Sequence, residues 1–199
     1  MLDSRTDEIA REAARLLETG TLTRLDEAIN AAAERLRFEE APRPSRKLVR
    51  DHARGIAMQA LGAEGYRARI IEIWRSCENI MRPLEPWDPR LVGRAADGNI
   101  DAGVTLYFKV VTDERIGRIA EALCSVDFAE PEFETADTKF GRFDRIRFVE
   151  DGLEVVITRL PTARTNLARF NLHTGEPVTT LTALQLQAKI EKALAEPER

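Results

Sequence analysis

The chain has 199 residues, of which 43% are hydrophobic, enough to bury a sizeable core in one domain or in one domain with a helical extension. A net charge of −4 and a pI near 5.4 argue against a general nucleic-acid binder, whose footprint should be basic, but leave room for a local basic patch. The two cysteines, Cys77 and Cys124, are far apart and form no CxxC pair, which excludes a cysteine-rich zinc site and suits a reducing compartment. Both fall in apolar helical patterns and read as core thiols. The start is charged at once, unlike a signal peptide, and no apolar run approaches the roughly 20 residues of a membrane span. The expectation is a cytoplasmic protein with no membrane partner.

Ser4 opens a first helix whose Ile9, Ala13, Leu16 and Leu17 share a face, stopped by Gly20. Thr23 and Asp26 open a second, with Leu25, Ile29, Ala32 and Leu36 in one stripe, ending before Pro42 and Pro44. Ser45 caps a third through about Leu61, placing Leu48, His52, Ile56 and Ala60 together. Gly62 and Gly65 break the chain ahead of a fourth helix. That one carries the strongest periodicity, Tyr66, Ile70, Ile73, Trp74, Cys77, Ile80 and Met81, and stops at Pro83.

Beyond Pro83, Pro86 and Pro89 the period changes from helix to strand. The stretch from Leu91 to Val111 reads as a glycine-bearing turn, Gly93 to Gly103, feeding a strand with Val104, Leu106, Phe108 and Val110 on one face. Glycines there would let backbone N–H groups approach an anion. A helix from about Glu114 to Ser125 follows, then an irregular segment with a short strand near Glu132 to Thr135.

Asp151-Gly152 makes a two-residue hairpin turn, and counting outward pairs Glu150 with Leu153 and so on to Arg145 with Thr158. Ile146, Phe148, Val155 and Ile157 then face the core, while Arg145, Arg147, Glu154 and Thr158 share a polar face, either solvated or the floor of a cleft. Residues 161–180 read as an extended polar connection. It holds His173, which lacks a nearby carboxylate or cysteine and is most simply a surface residue. Thr182 caps a last helix with Leu184, Ile190 and Leu194 spaced for packing.

Helices, a glycine turn into a strand, a helix and a hairpin follow in an order that resembles the nucleotidyltransferase superfamily with the polymerase-beta-like fold, over roughly Arg67 to Lys192. The resemblance implies an α+β fold, a nucleotidyltransferase-like mixed β-sheet packed by helices, here with an N-terminal helical extension. Residues 1–62 would be the helical region and 63–199 the nucleotidyltransferase-like region, as one compact unit. In that family a Gly-Ser turn holds the nucleotide phosphates and an Asp-x-Asp pair on the next strand binds magnesium with a third carboxylate. Here Gly93-Arg94 takes the Gly-Ser place, Gly98 a mid-loop glycine, and Gly103-Val104-Thr105 the Asp-x-Asp place, so the metal motif is degenerate.

Three readings follow. The leading one is a non-catalytic protein that binds a nucleotide or phosphate through Gly93, Arg94, Gly98, Lys109 and Arg147. The second is an active magnesium-dependent nucleotidyltransferase using Asp97, Asp101 and Glu154, in which magnesium is a cofactor only if the protein is active. The third is a helical interaction module, a homodimer packed through the alanine faces Ala28, Ala31, Ala32 and Ala33.

Overall fold

A computed structural model describes residues 4–22, 24–100 and 104–195. Thr23, Asp101, Gly103 and the charged tail from Glu196 lie outside the described residues. The chain divides into two compact units, the first gathering the described residues up to Ala68 together with Ile100, the second gathering residues 69–99 and those from Val104 onward. The fold class is α+β, with helices at the N-terminal end and a six-stranded mixed sheet packed by helices.

The first unit is built from α1 (Ser4–Glu18), α2 (Leu25–Leu36) and the opening part of α3 (Arg46–Met81). Small side chains on facing stripes bring the helices close. Ala10, Ala13 and Ala14 of α1 meet Ala28, Ala32 and Ala33 of α2 and Val49 and Ala53 of α3 in one buried cluster. The alanine face expected to serve a dimer is therefore covered within its own unit. On α3 the fully buried stripe is Val49, Ala53 and Ala57, one position on from the expected Leu48, His52, Ile56 and Ala60. Ala60 is exposed, and His52 is half-buried because its Nε2 lies 2.8 Å from Oδ1 of Asp7. The expected third and fourth helices run together as α3, interrupted only at Gly62, whose φ of 69° and ψ of 175° leave helical geometry. Gly65 lies within the helix.

The second unit carries the sheet, in the order β3-β4-β5-β2-β1-β6. Its strands are β1 (Arg90–Val92), β2 (Thr105–Val111), β3 (Glu132–Thr138), β4 (Gly141–Glu150), β5 (Leu153–Leu160) and β6 (Thr180–Leu181). The β4–β5 hairpin has the expected register at all six counted pairs, from Glu150 opposite Leu153 to Arg145 opposite Thr158. Asp151 and Gly152 both have positive φ, 50° and 76°, as a type I′ turn requires. β2 runs parallel to β5, with Thr105 opposite Glu154 and Lys109 opposite Thr158.

One face of the sheet is apolar, with Leu106, Phe108, Ile146, Val155 and Ile157 at 0–1% exposure, and α5 (Ile116–Cys124) packs on β4. Its inward residues are Ile119, Ala120 and Leu123, which leaves Cys124 exposed rather than in the core. Cys77 is buried, and desolvation pushes its thiol up to about 12. The other face is polar along β2, β4 and β5 and is partly roofed by residues 162–172. That segment is not extended: Thr162–Arg169 is a 3-10 helix, tied down where Asp113 accepts the Thr162 N–H and hydroxyl. Leu167, Ala168 and Leu172 pack on Phe143 and Leu160. No helix among the described residues is long and apolar enough to cross a membrane.

Candidate functional site

The glycine stretch is more structured than a loop. β1 runs into a single helical turn, α4 (Arg94–Asp97), bracketed by two positive-φ glycines. Gly93 has φ 75° and ψ −142°, a conformation essentially restricted to glycine, and its N–H donates to Thr179 O at 3.0 Å. Gly98 has φ 80°, and a Cβ there would come within 3.2 Å of the Trp74 ring. Trp74 itself donates its indole N–H to Ala95 O at 2.8 Å. Lys189, from α6 (Ala183–Ala195), stands 4.8 Å from the centre of the Trp74 ring and donates to Ala96 O at 2.5 Å. The amides of Gly93, Asp97, Gly98 and Asn99 are all spent on backbone carbonyls. The glycines are accounted for by backbone shape and by the close approach of Trp74.

The carboxylates have separate commitments. Exposed Asp97 acts electrostatically on Lys189, while Glu154 accepts the Thr105 hydroxyl at 2.7 Å and a guanidinium N–H of Arg147. Among the described residues no group of three or more His, Cys, Asp or Glu side chains is arranged to hold a metal ion. Asp101 lies outside the described residues. Thr105 spends its hydroxyl as a donor to Glu154, so the described donor set does not fit magnesium.

The parallel pairing of β2 with β5 gathers the remaining candidates on the polar face. Alternation puts Thr105, Tyr107 and Lys109 of β2 beside Glu154, Val156 and Thr158 of β5 and Arg145 and Arg147 of β4. β3 adds Glu134 opposite Arg145. Lys109, read from the sequence as a phosphate contact, is only 5% exposed. Its ammonium donates to Leu167 O at 3.1 Å, Ala168 O at 3.3 Å and Phe170 O at 2.5 Å, so all three donors are spent inside. Burial, with the nearby Arg145 charge, lowers its pKa to about 8. Arg147 is half-exposed and bridges Glu154 and Glu134.

Arg145 is the residue whose environment stands out. Its guanidinium is half-buried, its Nε is buried with no hydrogen-bond partner, and its Nη2 lies 3.2 Å from His173 Nε2. Burial lowers its pKa, with Arg147 adding to the effect against the opposing influence of Glu134 and Tyr107. Tyr107 is 46% exposed beside it and offers a ring to the open side. Three cations, Lys109, Arg145 and Arg147, thus share the face with three carboxylates, Glu132, Glu134 and Glu154. The hairpin register already put Arg145 on this face. Its meeting with His173, 28 positions away, depends on how residues 162–175 fold back and had no local signal. The Asn171 side chain shapes that return, accepting the His173 and Thr174 N–H groups at 2.9 and 3.2 Å. No protein-family model matches the chain, and no curated protein matches it.

Proposed function

We propose that this protein is a non-catalytic binder of a phosphorylated small molecule, a nucleotide in the first instance, held on the polar face of the sheet by Arg145 and Arg147 with Tyr107 against the organic moiety. The observation that carries the reading is the state of Arg145. A half-buried guanidinium with an orphaned Nε, whose desolvation Glu134 offsets only in part, is short of an acceptor that an anion would supply. A phosphate oxygen would accept from that fork, which suits a bidentate contact. Lys109 contributes field rather than contact. The order of elements resembling the nucleotidyltransferase superfamily supports a nucleotide over other phosphates, while Thr105 in place of an aspartate supports binding without turnover.

Isothermal titration of ATP, pyrophosphate and adenosine into the wild type, Arg145→Gln and Tyr107→Ala tests it. ATP and pyrophosphate should bind saturably, with Arg145→Gln weakening both about tenfold or more. Tyr107→Ala should weaken ATP but not pyrophosphate. Failure of ATP and pyrophosphate to bind at millimolar concentration, or binding indifferent to Arg145→Gln, would sink the reading. Magnesium-dependent release of pyrophosphate from ATP would replace it with the enzyme.

A further inference from the structure

A small surface cavity of about 70 Å³ opens between β1, β6 and the 3-10 helix, lined by Asp88, Arg90, Val111, Thr165, Ala168, Arg169 and Thr180. A single water needs about 10–15 Å³ of such space, so the cavity has room for something larger. Two arginines and two threonines line it with a single acidic residue, Asp88. Arg90 spends its Nε and Nη2 on one oxygen of Asp88, at 3.2 and 2.5 Å, leaving Nη1. Among the described residues, no hydrogen bond or ion pair engages the Arg169 guanidinium.

The positive charge is reinforced from below, since Arg90 lies opposite Lys109 in the β1–β2 pairing. The carbonyls that hold the Lys109 ammonium belong to Leu167, Ala168 and Phe170, in the same stretch that supplies Thr165 and Arg169 to the cavity wall. The buried lysine therefore anchors the segment that carries Arg169.

We infer that this cavity is a binding site for one tetrahedral oxyanion, phosphate or sulfate, held between Arg169 and Arg90 with the Thr180 hydroxyl as a further donor, the Thr165 hydroxyl being spent on Thr162 O at 2.7 Å. Hydroxyls and guanidinium forks are the groups that match such an anion. Asp88, already neutralised by Arg90, does not oppose it. The site is independent of the nucleotide reading, which rests on Arg145.

The test is calorimetric titration of inorganic phosphate, repeated with sulfate, into the wild type, Arg169→Gln and Arg145→Gln. Arg169 is exposed, so its variant should keep the fold, which circular dichroism checks. Besides any binding at Arg145, a saturable component is expected that Arg169→Gln weakens about tenfold or more and that persists in Arg145→Gln. The inference is overturned if neither anion binds saturably at millimolar concentration, or if Arg169→Gln binds as the wild type does. Loss of binding in Arg145→Gln alone would move the anion to the polar face and overturn it too.

Discussion

Replacing Lys109 by Met removes a buried charge and the hydrogen bonds that moor residues 167–170 to the sheet, and the two losses have different pH dependences. The three carbonyl bonds favour the ammonium, whereas burial and Arg145 oppose it, and the balance holds its pKa at about 8 against an ordinary 10.5. The unfolded chain therefore binds the proton more tightly than the folded one. Below about pH 8 both states are charged and the folded state carries the full cost of the buried ammonium. As the pH rises towards 10.5 that cost is relieved, so this group makes stability increase across the window. At about 1.4 kcal/mol for each pH unit, the gap sets an upper bound of about 3 kcal/mol, and solvent access near the roofing segment brings the expected change to about 1–2 kcal/mol. Urea unfolding of wild type and Lys109→Met at about pH 7.5 and about pH 10 measures most of it, since other titrations largely cancel in the difference. Relative to the variant, the wild type should gain stability at the higher pH. A pH-independent difference, or one that moves the other way, would mean that the carbonyls outweigh burial and would refute the reasoning.

Gly98→Ala should cost about 1–3 kcal/mol, because φ is 80° and the new methyl would meet Trp74 at 3.2 Å. Gly152→Ala, at φ 76° with open space around it, should cost less, and denaturant midpoints that rank the two the other way would contradict the clamp. In the first unit, the hydrogen bond from His52 and the charge of Arg11 hold the Asp7 carboxyl below its ordinary 3.8. Its stabilisation is present above that value and is lost as the pH falls through the lowered one. Asp7→Asn should therefore flatten the acid limb of a thermal-midpoint profile, and an unchanged acid limb would count against the pairing.

Where the determinants of structure were local, the sequence was sufficient. The Asp151-Gly152 turn sets a register that alternation then carries for six pairs, and the apolar stripe of α3 from Tyr66 to Met81 is buried as its spacing implied, apart from Ile70, which is half-buried. Non-local determinants were not legible. Residues 161–180 look like a polar connector because Leu167, Ala168 and Leu172 are few among polar residues and keep no strand alternation, and only Phe143 and Leu160 from other strands make them a core. β3 extends to Thr138 although EFETADT has few strand-forming residues, because the long β4 offers it a ladder as far as Gly141. The same limit applied to the site: Arg145 and Arg147 were visible as alternating cations, but the carbonyls that absorb Lys109 and the histidine that meets Arg145 arrive from a segment with no sequence signature.

The sign of the charge on the polar face bears most directly on what the face can do. A two-metal centre needs a surplus of carboxylates, since each divalent cation must be neutralised by anionic oxygens at close range. Among the described residues here the carboxylates are matched by cations, with Glu154 and Glu134 paired to Arg147 and Arg145 left with an unpartnered Nε. A magnesium ion brought to this face would have to displace Arg147 from Glu154 and Glu134, whereas a phosphate would relieve the desolvated guanidinium of Arg145. The glycine turn from Gly93 to Gly98 keeps its shape for Trp74, and the anion chemistry has its strongest support one strand away, on β4, at Arg145.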